Sequence, residues 1–149
     1  MRRRLIRDHP PPLPDAVLVR ALFDSFPGGE AFDCDVLIAD VAYNFEVFGY
    51  YGLSLWLVSD LWPLDRLLSE KTRKARRVAQ FSAGELLGQG LGLVPSGKVP
   101  HHDATRGLVY GVSYGGDQNT TGDAEELVDR FVSAAYTVED NSFYQQDPS

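Results

Sequence analysis

The 149-residue chain has the length of one ordinary domain, and its 44% apolar content, with eight Phe, seven Tyr and two Trp, excludes a disordered chain. Its net charge of −7 disfavours nucleic acid as a general partner. The one cysteine, Cys34, excludes an intramolecular disulfide and a Cys-based zinc site, and no run approaches the ~18 apolar residues of a membrane span, so a soluble, cytoplasmic protein is expected.

Residues 1–15 carry Arg2, Arg3, Arg4 and Arg7 and then a proline-rich stretch, the composition of a mobile polyproline II arm. Residues 16–138 are expected to form a single α+β domain, with a mixed or mainly antiparallel sheet packed by two or three helices, and 139–149 a polar tail. Periodicity fits Ala16 to Phe23 either to a strand or to a short helix capped by Asp15 with Leu18, Ala21 and Leu22 aligned; Pro27-Gly28-Gly29, which ends the run within a few residues, favours the strand. Val36 to Tyr43 and Leu53 to Val58 are the most strand-like runs and are predicted to pair. Ser59-Asp60 offers an N-cap to a helix bearing Leu61, Leu64, Leu67 and Leu68, which leads into the basic cluster Lys71, Arg73, Lys74, Arg76 and Arg77.

Val78 to Phe81 is a short predicted strand, and Ser82-Ala83-Gly84-Glu85 is a capping box opening a short helix stopped by Gly88 and Gly90. Leu91 to Val94 and Leu108 to Tyr114 read as strands joined by an irregular connection, Pro95 to Gly107. A last helix from about Asp123 to Tyr136 aligns Leu127, Val128, Phe131, Val132 and Ala135.

Candidate chemistry concentrates in His101-His102-Asp103, with Arg106 nearby. An imidazole beside a carboxylate serves a proton-transfer step, and Arg106 would hold an anion. In an extended segment His101 and Asp103 share one face and His102 takes the other. Asp103 capping a turn, with the histidines as packing residues, accounts for the same pattern. Gly111-Val112-Ser113-Tyr114-Gly115 resembles the nucleophile elbow of α/β-hydrolases, which implies Ser113 as nucleophile, although no histidine follows it in the chain. Asp117-Gln118-Asn119-Thr120-Thr121-Gly122-Asp123 begins like an EF-hand loop, but its twelfth position is Val128 rather than Glu. Arg20, Ser54 and Glu125 resemble the Arg, Ser, Glu set of ADP-ribosyltransferases, a likeness of fold pattern. No metal or cofactor is expected.

Tyr50, Tyr51, Trp56 and Trp62 form an aromatic run fit for partner recognition or for the core. Nine of the fourteen basic residues lie in the two clusters already named, whereas from Asp117 onward eight acids face Arg130 alone. That polarity points to an acidic protein-interaction module of the immunity-protein, antitoxin or accessory-subunit kind, with a partner of basic surface; nucleic-acid contacts are confined to Lys71, Arg73, Lys74, Arg76 and Arg77. The other reading is a small hydrolase, nuclease or ADP-ribosyltransferase-like enzyme built on His101, His102 and Asp103.

Overall fold

The structure, a computed structural model, describes residues 12–22, 32, 34–48, 50–106 and 121–144. In chain order the elements are β1 (Val17–Leu22), α1 (Cys34–Phe48), β2 (Leu53–Leu57), α2 (Leu64–Glu70), β3 (Arg77–Ser82), α3 (Ala83–Gly88), β4 (Leu91–Pro95), β5 (His101–Arg106), α4 (Thr121–Ser133) and β6 (Thr137–Asp140). The six strands form one sheet in the order β4-β5-β2-β1-β3-β6, with every neighbouring pair antiparallel. This is the expected α+β class, a single domain.

β1 holds the centre, and its alternation feeds two cores. Leu18 and Leu22 join Leu37 and Val41 of α1, Leu127 and Phe131 of α4 and Leu86 of α3 in the main one. Val19, on the opposite face, packs with Val78 of β3 and Leu68 of α2. Each such aliphatic or aromatic side chain contributes about 1.5–3 kcal/mol when fully buried.

Two expected elements change. The run Val36 to Tyr43 lies inside helix α1 instead of forming a strand, so β2 pairs with β1 and β5. Leu37, Val41 and Asn44 fall at helical spacing and are the buried stripe, while the apolar residues off it, Val36 and Tyr43, are exposed. The connection Pro95 to Gly107 is also not irregular throughout, because His101–Arg106 is β5, lying between β4 and β2. Its polar sequence lacks the apolar alternation that marks a strand, and its two neighbours supply the pairing. The strand expected at Leu108 to Tyr114 lies outside the described residues.

Local signals account for the shorter elements. Ser82 Oγ accepts the Glu85 N–H at 3.3 Å and caps α3, whose first turn is also met by Pro14, its carbonyl taking the Gly84 N–H at 2.9 Å. Gly90, at φ +81°, ends that turn in a conformation that suits glycine, with Arg130 against the place a Cβ would take. Helix α2 starts after Pro63 rather than at Ser59, whose Oγ instead accepts the Trp62 N–H at 3.2 Å.

Sheet pairing runs past Val138 to Asp140, and Asn141 then closes the turn between α2 and β3. Its backbone N–H donates to Arg76 O at 2.8 Å. Its buried side-chain amide donates to Leu68 O, Thr72 O and Ala75 O at 3.3, 2.9 and 3.2 Å. One side chain thus reaches three carbonyls of helix α2 and its turn, adding to the bonds Thr72 Oγ1 to Leu68 O and Ala75 N to Thr72 O already made there. Asn141→Ala is expected to cost about 1–3 kcal/mol in urea denaturation, the penalty for losing the buried amide's hydrogen bonds, and Asn141→Asp more, since a carboxylate would face three oxygens. A change under about 0.5 kcal/mol for both would remove Asn141 from this role.

Candidate functional site

The candidate residues on β5 divide by register. Asp103 lies opposite Ser54 and Val94, and His101 opposite Trp56, so these point to one side of the sheet; His102, opposite Leu55 and Pro95, points to the other. Arg106 ends the strand opposite Leu91. Ser113 and the loop Asp117 to Asn119 lie outside the described residues. The structure therefore joins His101 with Asp103 and separates His102 from both.

Asp103 is fully buried, and its Oδ2 accepts two hydroxyls, Tyr50 Oη at 2.5 Å and Ser96 Oγ at 2.6 Å. Both distances suit O–H donors on a carboxylate. Tyr50 is placed by the end of α1, where Asn44 Nδ2 donates to the Tyr50 carbonyl at 2.8 Å. Gly52 leaves room for the group: a Cβ there would lie 3.1 Å from the Tyr50 ring and 3.2 Å from Asp103 Cβ. Ser96 begins the β4–β5 turn, in which Gly97 takes φ +64°.

His101 Nδ1 lies 3.0 Å from Ser96 Oγ and 3.1 Å from Ser96 O. The serine proton is committed to Asp103, so the imidazole N–H donates to the serine. This order differs from a catalytic triad, where the imidazole stands between serine and carboxylate and takes the serine proton. Here the carboxylate holds that proton, so the cluster orders the turn rather than activating Ser96. The His101 ring also meets Trp56 edge-on at 5.6 Å. On the other side, the buried His102 donates from Nδ1 to Pro100 O at 3.2 Å.

A second charged group lies across β2. Arg20, whose side chain is 11% exposed, donates to Asp40 Oδ2 of α1 at 2.7 Å and to Ser54 O of β2 at 3.1 Å, and lies 6.0 Å from the centre of the Phe131 ring. Burial pulls its pKa below the ordinary value, and Asp40 and then Asp103 push it back. Arg20 and Ser54 are thus together as the transferase likeness implies, but through the serine carbonyl. Glu125 is on the exposed face of α4.

The four aromatics expected to recognise a partner are dispersed. Tyr50 is internal, Tyr51 is half-buried against Phe45 at 4.9 Å, and Trp56 faces His101. Half-buried Trp62 lies beneath Arg66 and Lys71, whose cationic groups are 3.7 and 5.0 Å from its ring centre. Among the described residues no three His, Cys, Asp or Glu side chains are grouped to hold a metal.

Sequence reasoning missed a cavity of about 340 Å³ beside the start of β6, lined by Val17, Gln80, Phe81, Glu85, Tyr136 and Thr137 among others. Gln80 Nε2 is the only buried side-chain nitrogen or oxygen among the described residues without a hydrogen-bond partner. Such a group costs about 1–3 kcal/mol. No sequence signal marks this place, because its lining comes from β1, β3, α3 and the approach to β6.

Tyr50→Phe is expected to lower stability by about 1.5–3 kcal/mol, the worth of a hydrogen bond to a charged group, and clearly less in an Asp103→Asn background. Equal costs in the two backgrounds, measured by chemical denaturation, would break the link between Tyr50 and Asp103. No family model, curated protein or solved structure matches this chain.

Proposed function

We propose that the chain is an acidic protein-interaction module whose partner presents a basic surface. One observation carries the reading: Glu125 and Asp129 of α4 and Glu139 and Asp140 of β6 are all exposed, while Arg130, the base within that stretch, is tied to Glu126 Oε1 at 2.6 Å and to Gln89 O at 3.1 Å. Exposed carboxylates of one sign steer a cationic surface and set the register of docking. No helix among the described residues is long and apolar enough to cross a membrane. The exposed thiol of Cys34 fits a reducing, cytoplasmic setting.

The enzyme reading draws less support from the geometry. Its carboxylate, Asp103, is fully buried and occupied by two hydroxyls, and His102 stands on the opposite side of the sheet from His101. Lys71, Arg73, Lys74 and Arg76 are exposed, with Lys71 over Trp62 and Arg76 over the Tyr144 ring at 5.0 Å, so contacts to phosphate belong to that turn if they occur.

The test uses the chain as bait in extract of its own cells, followed by purification of the captured protein and titration at about 0.05 and 0.3 M salt. A partner with a basic surface is expected, with affinity that falls as salt rises. Glu125→Gln with Asp129→Asn should weaken it about tenfold at low salt and leave urea stability unchanged. A captured partner bound equally well by the double variant, at either salt, removes this acidic surface from the reading.

A further inference from the structure

We propose that β6 is a docking edge for an extended, basic peptide segment of a partner protein, which adds to the sheet as a seventh strand and seats one long side chain in the neighbouring cavity. The inference rests on the interaction-module reading and names its surface. Of the two edge strands, β4 is buried at four of its five residues, whereas β6 is exposed at three of its four. Among the described residues β6 pairs only with β3.

The register identifies the groups that face outward in the plane of the sheet. Asn141 and Arg76 continue the β6–β3 ladder, and the Asn141 N–H donates to Arg76 O. Hydrogen-bonded and non-bonded pairs alternate along an antiparallel ladder, so Thr137 and Glu139 turn their amides toward β3, while Val138 and Asp140 turn theirs to the open side. An incoming strand meets those two N–H and two C=O groups. This is the chemistry of strand addition.

Charge and shape select the occupant. Glu139 and Asp140 are exposed along the strand, and Glu85 is exposed at the cavity. Phe81 and Tyr136, with ring centres 5.6 Å apart, give the cavity an aromatic wall. Lys and Arg combine an apolar stem, which fits that wall, with a cation that reaches Glu85. Acidic side chains on an open edge also resist pairing between like copies, which favours a basic strand over a second molecule of this chain.

The experiment titrates the isotopically labelled full chain with a synthetic eight-residue peptide alternating Lys and Val, and with the same peptide N-methylated at alternate residues. The first should bind saturably, with its largest amide shifts at Val138 and Asp140; the second, equal in charge but deprived of strand-forming N–H groups, should bind at least about tenfold more weakly. Asp140→Pro removes one outward N–H without touching the β3 ladder and should weaken the first peptide about tenfold, while Asp140→Asn should cost about threefold or less, with thermal melts showing both variants folded. Equal binding of the two peptides, no saturable binding, or unchanged binding by Asp140→Pro overturns the assignment. So does a peptide-free dimer abolished by Asp140→Pro, which would give the edge to a second copy. If the captured partner still depends on Glu125 and Asp129 when these results are negative, only the docking edge falls; if that dependence is absent as well, the module reading falls with it.

Discussion

Two opposite charges are taken out of water in this sheet, Arg20 on β1 and Asp103 on β5, with β2 between them. Removing an ion from water costs several kcal/mol unless hydrogen bonds and a partner offset it. Much of the surrounding structure answers that demand. Arg20 takes Asp40 from α1 and a carbonyl from β2; Asp103 takes a hydroxyl from the residues after α1 and another from the β4–β5 turn. Asp103 also helps keep Arg20 protonated against its burial, after the larger contribution of Asp40.

The placement of α1 follows from this. The helix supplies Asp40 to one charge, and its end delivers Tyr50 to the other, with Asn44 holding the Tyr50 carbonyl in place. An α1 shifted by one residue would turn Leu37 and Val41 out of the core and carry these polar partners away together. The constraint also explains why the residues most suggestive of catalysis are internally engaged. A carboxylate that accepts two hydroxyls inside a sheet organises a turn, while exposed charged side chains lie on α4, on β6 and in the basic turn after α2.

Much of the fold was legible from local signals. The strand at Val17, the N-cap at Ser82 and the amphipathic stripe Leu127, Val128 and Phe131 each express a short-range rule, and each is where the sequence places it. Val36 to Tyr43 misled because β-branched and small apolar residues satisfy a strand pattern and a helix stripe equally. The neighbours decided: β1 and β5 flank β2 on both sides, leaving the segment to cover their face. For the candidate site, the alternation of His101 and Asp103 against His102 was readable, whereas Ser96 and Tyr50 as partners of Asp103 were not, being 7 and 53 residues away in the chain. The edge of β6 was hidden in a polar stretch with little apolar content, whose strand exists through pairing with β3.

The sequence by itself determined the class, a single α+β domain with an acidic last third and two basic clusters, because composition, capping and periodicity act over a few residues. The tertiary structure alone decided which polar residues are consumed inside and which remain on the surface. That sorting depends on partners elsewhere in the chain: Asp103 is closed by Tyr50 and Ser96 and Arg20 by Asp40, while Glu125, Asp129, Glu139 and Asp140 stay exposed to water.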